Sequence, residues 1–203
     1  MKLHWSPRSP FVRKVMIAAH EMGLAGRLDK VRSVAAMATP HAELMKDNPL
    51  SKIPTLVLDD GTPLFDSRVI CEYLDGQHSG HKLFPASGPE RFVALRRQAL
   101  GDGILDFLIL WRSEREREHK SEVFIASWAR RLEASLAVLE REAEALGASP
   151  FSIGHIGIGC ALGYLDFRFA MHPWRPDHPK LAAWHATFNA RPSVKASEVV
   201  DDS

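Results

Sequence analysis

Residues 48–56 read Asn48-Pro49-Leu50-Ser51-Lys52-Ile53-Pro54-Thr55-Leu56, and residues 66–70 read Asp66-Ser67-Arg68-Val69-Ile70. The first segment predicts a turn and then a strand that an Ile-Pro bond opens. A proline at the mouth of a strand cannot donate to the ladder and keeps the preceding residue extended. The backbone N–H and C=O of Ile53 can therefore bond to an extended peptide ligand. The adjacent Ile53–Pro54 bond is one where a cis peptide costs little. In the second segment a helix begins near Ser67, and free amides at a helix start bind a carboxylate.

The elements around these segments follow the order of a thioredoxin-like α/β unit. Strands are predicted at 2–5, 28–34, 55–58 and 63–65, with a hairpin through Asp60-Gly61 joining the last two. Helices are predicted at 11–22, 40–47 and 67–78. The resulting order is strand-helix-strand followed by helix-hairpin-helix.

The second half of the chain has a different character. The stretch from Gln77 to Pro89 is rich in Gly, Ser, Pro and His, a composition that is typical of a linker. Long amphipathic helices follow at 90–119 and 121–146, then one helix after Ser152 and another near 180–190. We therefore predict an α/β domain at 1–78, a linker at 79–89 and an all-α helical domain at 90–203.

Composition narrows the class of protein. The 203 residues are 45% hydrophobic and 25% charged, with a net charge of +1. Such a balance recruits neither nucleic acid nor an anionic membrane surface. Two distant cysteines provide neither a disulfide framework nor a metal-binding spacing, and no signal peptide or membrane span is evident. We expect a cytoplasmic protein.

The turn Ser6-Pro7-Arg8-Ser9-Pro10 joins the first strand to the first helix. Proline is favoured at the first helical position, so Ser9 is predicted to be the N-cap. By itself this motif indicates only a capped helix.

Taken together and in order, these motifs resemble the glutathione transferases. The pattern N-P-x-x-K-I-P-x-L followed by Asp-Ser and an apolar helix is similar to their thioredoxin-like half, and the resemblance runs from residue 1 to about Val199. The chain looks like a bacterial, serine-type member of the family that resembles the tau- and zeta-like transferases. It implies a cytoplasmic homodimer with a role in detoxification.

The resemblance also implies a set of glutathione contacts. Ile53 pairs through its backbone with the cysteinyl part of glutathione, next to a structural cis-proline at Pro54. Asp66 and Ser67 hold the γ-glutamyl end. Lys52 pairs with the glycine carboxylate or is simply a solvated lysine.

Ser9 is the implied catalytic residue. A thiolate near a helix N-terminus and a donor hydroxyl is stabilised, so its pKa falls from the ordinary value of about 8.5. The nucleophile is then the sulfur of glutathione. Relatives with cysteine at this position act as thiol-disulfide reductants, which Ser9 disfavours. Cys71 is expected to be a buried structural residue.

The second substrate is expected beside the turn at Ser9 and the first long helix. Phe11 and Trp111 are the candidates for an electrophile pocket. Core packing is the alternative for the apolar stripe that contains Trp111. Arg13 and Arg68 are expected at the surface.

Two features of the helical half favour structure over chemistry. Residues 154–163 contain G-x-G-x-x-x-G, but no βαβ unit surrounds it, so close helix packing explains the glycines better than a dinucleotide site. The family usually opens this helix with Ser or Thr followed three residues later by Asp, whereas His155 stands here. We expect histidine to cap poorly and His155→Asp to raise the melting temperature. No histidine pair has the spacing of a metal site, and no metal is expected.

The resemblance implies an enzyme that conjugates the glutathione thiolate to an electrophilic small molecule. A non-catalytic glutathione-binding or stress-response protein is one alternative. A glutathione-dependent isomerase or dehalogenase on the same scaffold is the other.

Overall fold

The computed structural model describes residues 1–202, and these form two compact units. The first unit comprises Met1–Gly88 together with the C-terminal segment that begins at Pro192. The second comprises Pro89–Arg191. The architecture is a mixed four-stranded α/β unit and an all-helical unit, so the predicted fold class is confirmed.

A four-stranded sheet forms the centre of the first unit. Its strands are β1 (Lys2–Trp5), β2 (Asp29–Arg32), β3 (Thr55–Val57) and β4 (Pro63–Leu64). They lie in the order β2-β1-β3-β4, with β1 parallel to β2 and both β1–β3 and β3–β4 antiparallel. All four strands fall within the stretches that the sequence predicts.

Helices cover this sheet and provide most of the core of the first unit. They are α1 (Pro10–Glu21), α2 (Ala42–Asp47), α3 (Ser67–Gly76) and α8 (Pro192–Lys195). α1 packs against both α3 and α8. Val15 and Ile17 on α1, Leu3 on β1, Leu56 on β3 and Ile70 on α3 are completely buried. The sequence does not predict α8, because four residues are too few to show a helical period.

Four helices form the second unit: α4 (Gly88–Arg115), α5 (Glu122–Ala148), α6 (Ile153–Arg168) and α7 (Pro179–Asn189). α4 ends four residues before the predicted boundary. α5 continues through Gly147, where the sequence predicts a stop, because Gly147 does not adopt the left-handed conformation of a C-terminal cap. No helix in the part of the chain that the structure describes has both the length and the apolarity to cross a bilayer.

Glycines allow α4 and α6 to approach closely. A Cβ on Gly101 of α4 would lie 2.3 Å from the carbonyl carbon of Gly157 of α6. A Cβ on Gly154 would lie 2.7 Å from the Arg97 side chain, and one on Gly159 would lie 2.2 Å from the Phe188 ring. The prediction that the glycines of residues 154–163 allow close helix packing is therefore confirmed.

His155 completes the N-terminal cap of α6, so the expectation that it caps poorly is wrong. The Ser152 N–H donates to His155 Nδ1 at 3.1 Å, which is the reciprocal bond of a capping box. Since Nδ1 accepts, the ring proton sits on Nε2 and is donated to the Leu146 carbonyl oxygen at 2.9 Å. Burial lowers the pKa of His155 below its ordinary 6.5, and the charges of Arg97 and Arg191 lower it further. The imidazole is thus held in its neutral form.

Candidate functional site

The pairing of β1, β3 and β4 brings the sequence-predicted site segments to one end of the sheet. In the antiparallel register His4 lies opposite Thr55, so the C-terminal end of β1 and the N-terminal end of β3 adjoin. Leu56 lies opposite Leu64, which places the end of β4 beside the same end of β3. The Ser9 turn, the Ile53–Pro54 bond and the Asp66–Ser67 pair therefore leave the sheet on the same side.

Ser9 occupies the N-cap of α1, as the sequence predicts. Its backbone is extended, with φ −81° and ψ 119°, and its N–H donates to the Ser6 carbonyl at 3.2 Å. The Ser9 Oγ accepts the Val12 N–H at 3.3 Å. Because Oγ acts as an acceptor toward its own helix, its hydroxyl proton remains available for an acceptor outside the helix.

Ile53 presents unpaired backbone groups beside a cis bond. The Ile53–Pro54 peptide is cis. Within residues 1–202, no hydrogen bond engages the Ile53 N–H or C=O, and its side chain is half-buried. An extended ligand strand can therefore take both backbone bonds at this residue. Lys52 is exposed beside it.

A side-chain network holds the turn that carries Ile53. Asn48 is buried, and its Nδ2 donates to the Lys52 carbonyl at 3.1 Å and to Thr55 Oγ1 at 2.9 Å. The Thr55 hydroxyl lies 2.8 Å from the same carbonyl. These contacts fix the backbone on both sides of Ile53. The sequence predicts a turn at Asn48-Pro49, but its pattern does not mark Asn48 and Thr55 as the residues that fix it.

Ser51 is a second residue that sequence reasoning missed. Its φ of 50° lies in the left-handed region, where a non-glycine residue is uncommon. Its Oγ accepts the His41 N–H at 2.8 Å, which ties the segment before α2 to this turn. The neighbouring Asn-Pro pair signals a turn, but nothing in the sequence marks residue 51 as left-handed.

The start of α3 supplies the third element of the site. Asp66 is its N-cap and accepts the Arg68 N–H on Oδ1 at 2.9 Å, while its carboxylate stays exposed. The Phe65–Asp66 peptide is also cis. Ser67 is 2% exposed, and within residues 1–202 no hydrogen bond engages its N–H or hydroxyl. This helix start can therefore receive a carboxylate at Ser67 and an ammonium group at Asp66.

The two residues predicted for an electrophile pocket have different environments. Phe11 is half-buried near the start of α1. Trp111 is 2% exposed, and its ring lies 5.0 Å from the rings of both Phe169 and His172, in the second unit. The burial of Trp111 favours the core-packing alternative that the sequence left open.

The two cysteine side chains of this protein are buried away from solvent. Cys71 is completely buried, as predicted, and Cys160 is 1% exposed. Within residues 1–202 no three His, Cys, Asp or Glu side chains cluster in a way that could hold a metal ion.

This combination of sheet order, capped helix and cis-proline turn defines a thioredoxin-like unit followed by an all-helical one. A family model described as "Glutathione S-transferase, N-terminal domain" matches residues 8–77. A second model, described as "Glutathione S-transferase, C-terminal domain", matches residues 111–187. The chain belongs to the glutathione S-transferase family.

Individual relatives agree with this assignment over almost the whole chain. The uncharacterised GST-like protein YibF of Escherichia coli K12 is 31% identical, covering 98% of each chain. A glutathione transferase family member from Pseudomonas fluorescens Pf-5, solved with bound glutathione, is 46% identical over 98% of each chain, with a TM-score of 0.95. A second structure from that organism holds S-(propanoic acid)-glutathione; it is 43% identical, covers 98% of this chain and 100% of its own, and has a TM-score of 0.90.

Proposed function

We propose that this protein is a glutathione transferase in which Ser9 stabilises the glutathione thiolate for attack on an electrophilic carbon. The observation that carries the proposal is the convergence of three segments at one end of the sheet. Each segment provides a group that one part of the tripeptide requires. The bound glutathione in the Pseudomonas fluorescens relative supports the same ligand here.

The backbone of glutathione is assigned to Ile53. The unpaired N–H and C=O of Ile53 form two strand-like hydrogen bonds with the cysteinyl residue. Asn48 and Thr55 hold the neighbouring Lys52 carbonyl in place. The cysteinyl sulfur is thereby positioned with respect to the Ser9 turn.

The charged ends of glutathione are assigned to α3 and to Lys52. The γ-glutamyl carboxylate accepts from the Ser67 N–H and hydroxyl, and its ammonium group pairs with Asp66. The exposed Lys52 pairs with the glycine carboxylate at the other end. Asp66 and Lys52 are exposed to solvent, so we expect their two ion pairs to set affinity more than turnover.

The chemical step is assigned to Ser9 and the start of α1. The Ser9 hydroxyl donates to the thiolate, and the helix dipole adds further stabilisation. The lowered thiol pKa gives a larger fraction of thiolate at neutral pH, which is the form that attacks carbon. The new bond joins sulfur to the electrophilic carbon, and the leaving group departs with the electron pair. Phe11 is proposed to contact the electrophile.

The proposal includes a homodimer. Phe92 and Val93 on α4 are 72% and 40% exposed, which leaves apolar surface for a second copy to cover. Light scattering should give twice the mass of the chain, and a monomer mass would remove the dimer from the proposal.

Titration with glutathione near neutral pH tests the function directly. Thiolate absorbs in the ultraviolet, so a saturable absorbance increase would demonstrate both binding and activation of the thiol. Binding heat without that absorbance would indicate a non-catalytic glutathione-binding protein. If neither signal appears, the proposal fails. A panel of halogenated, maleyl and aryl electrophiles then separates conjugation from dehalogenation and isomerisation.

A further inference from the structure

A buried histidine, His4, joins β1 to the end of α2. His4 lies on β1 and is 4% exposed. Its Nε2 lies 2.7 Å from Asp47 Oδ2, and its Nδ1 lies 2.8 Å from the Ser33 hydroxyl. Lys2 Nζ donates to the same Asp47 oxygen at 2.6 Å. None of these four residues belongs to the set assigned to glutathione.

The order Ser33-His4-Asp47 has the connectivity of a hydrolytic triad but not its accessibility. Ser33 is 1% exposed, and its hydroxyl also lies 3.3 Å from the Val31 carbonyl oxygen. A nucleophile must reach the substrate carbon, which a buried hydroxyl cannot do. The three residues therefore link structural elements rather than form a nucleophilic site.

Asp47 is the acceptor of this link. Hydrogen bonds from Lys2 and then from His4 hold the pKa of its carboxyl below the ordinary value of 3.8. Because a carboxylate only accepts, His4 Nε2 carries a proton and donates it to Asp47. An acid at the C-terminal end of a helix opposes the helix dipole. The bonds from β1 offset this unfavourable position of Asp47.

The helix that carries Asp47 has few other anchors. Within Ala42–Asp47, Leu44 alone is buried. The ion pair between Glu43 and Lys46 is exposed and stays within the helix. A short helix with one buried side chain gains little from packing, so its local stability is low. The position of its C-terminal end therefore depends on the bond between His4 and Asp47.

The end of α2 leads directly into the turn that carries Ile53. Asn48 follows Asp47 in the chain. Its Nδ2 donates to the Lys52 carbonyl at 3.1 Å, and its Oδ1 accepts the Leu50 N–H at 3.0 Å. A shift of α2 would move Asn48 and, through these bonds, the backbone beside Ile53.

We propose that His4 is a positioning residue for glutathione and acts through Asp47. The link holds Asn48 and, with it, the backbone of Ile53 that the cysteinyl residue binds. This role rests on the proposed function, because it concerns the same ligand. The link includes neither Ser9 nor the start of α3, so it acts on glutathione affinity rather than on the chemical step.

Two substitutions of His4 separate the two bonds of its ring. Glutamine places its amide nitrogen near the position of Nε2 and can still donate to Asp47. Asparagine is one methylene shorter and extends only toward Ser33. Calorimetric titration of the full chain with glutathione should show a Kd about tenfold higher for His4→Asn, comparable to the loss of one hydrogen bond to a charged group. His4→Gln should keep most of the affinity.

Turnover distinguishes positioning from a general structural role. At saturating glutathione, kcat should change by less than about twofold in both His4 variants, because only ligand binding is weakened. A merely structural role would lower the melting temperature and leave the Kd of the folded protein unchanged. Equal glutathione Kd values in the wild type and His4→Asn would overturn the positioning role.

Asp47→Ala tests the same link from its other end. The Asp47 side chain is 22% exposed at a helix end, so this variant does not threaten folding. It should raise the Kd as much as His4→Asn, and the double variant should raise it no further, because both break one link. Glu43→Gln is the matched control, since it removes the exposed ion pair of the same helix and should leave the Kd unchanged. Additive losses in the double variant, or an equal loss in Glu43→Gln, would overturn the positioning role.

Hydrogen exchange without ligand separates failure of this role from failure of the proposed function. The amides of residues 48–56 should exchange about tenfold faster in Asp47→Ala than in the wild type, while those of α1 stay unchanged. If the wild type binds glutathione but exchange at 48–56 is the same in both proteins, the positioning role alone fails. If the wild type binds no glutathione, the proposed function fails and the positioning role fails with it.

Discussion

His155 Nε2 donates to the Leu146 carbonyl oxygen at 2.9 Å, which links the N-terminus of α6 to the C-terminal turn of α5. The same ring caps α6 through Nδ1. One neutral imidazole thus satisfies a backbone donor of one helix and a backbone acceptor of another. A carboxylate could accept the first bond but could not donate the second.

His155→Asp is therefore expected to lower the melting temperature, in contrast to the expectation from sequence alone. The substitution removes one of two donors to the Leu146 carbonyl, to which the Ser149 hydroxyl also donates at 3.0 Å, and it removes ring contacts with Phe151. Attraction between the carboxylate and Arg97 and Arg191 offsets part of this loss. We expect a net loss of about 1–3 kcal/mol in the free energy of unfolding, measured by urea denaturation. An unchanged or raised melting temperature would show that capping by the acid dominates.

The depressed pKa of His155 makes stability depend on pH. Above the ordinary pKa of 6.5 the imidazole is neutral in both the folded and the unfolded chain, so its contribution is fully present. As the pH falls below 6.5, the unfolded chain binds a proton that the folded chain does not, and stability is lost until the folded pKa is reached. The limit is about 1.4 kcal/mol for each pH unit. His155→Gln keeps a capping side chain that does not titrate, so the wild type should lose more stability than this variant below pH 6.5. Parallel pH profiles would contradict this role for His155.

Two glycines of α4 form a matched pair that tests helix packing. Gly101→Ala would place a Cβ 2.3 Å from the backbone of Gly157, and backbone atoms cannot move away cheaply. We expect a loss of about 3 kcal/mol or more. Gly103 lies on the same helix with open space around its Cβ position, so Gly103→Ala should stabilise by about 0.5–1 kcal/mol. Chemical denaturation of both variants measures the difference. Similar effects at the two positions would mean that α4 and α6 do not pack as closely as described.

Ser51 tests how much backbone conformation contributes to the glutathione turn. Ser51→Ala keeps the left-handed residue but removes the acceptor of the His41 N–H, so it should cost about 1 kcal/mol. Ser51→Gly loses the same bond but relieves the left-handed conformation, which is worth about 1 kcal/mol. We therefore expect Ser51→Gly to be nearly neutral and Ser51→Ala to have the lower melting temperature. The reverse order would show that the hydroxyl contributes through another contact.

Ser9→Ala separates thiol activation from glutathione binding. Loss of the hydroxyl should lower kcat by about tenfold to a hundredfold, as expected for one hydrogen bond to a charged group. The glutathione Kd should change far less. Loss of the N-cap also lowers stability by about 1 kcal/mol, so the assay temperature must lie well below the melting temperature. Ser9→Thr is the control, because it keeps both the hydroxyl and the cap. Equal rates in the wild type and Ser9→Ala would remove Ser9 from the mechanism.

The features that depend on a few neighbouring residues could be predicted from the sequence. The Ser9 cap follows from Ser-Pro at a helix start, and the strands of the first unit follow from short apolar runs between turn residues. The packing role of the glycines in α6 follows from their spacing on an apolar helix. Each depends on local propensity or side-chain period, which neighbouring residues alone express.

The features that depend on distant residues required the structure. The sheet register brings Ser9, Ile53 and Ser67 to the same end of the sheet, although 58 positions separate the first from the last. Leu146 becomes the partner of His155, and Arg13, which the sequence predicts at the surface, is buried and only 9% exposed. Local sequence is enough to predict which elements form and which chemistry each can carry. Which groups meet depends on the folded arrangement, because hydrogen bonding and burial depend on neighbours that the linear order does not reveal.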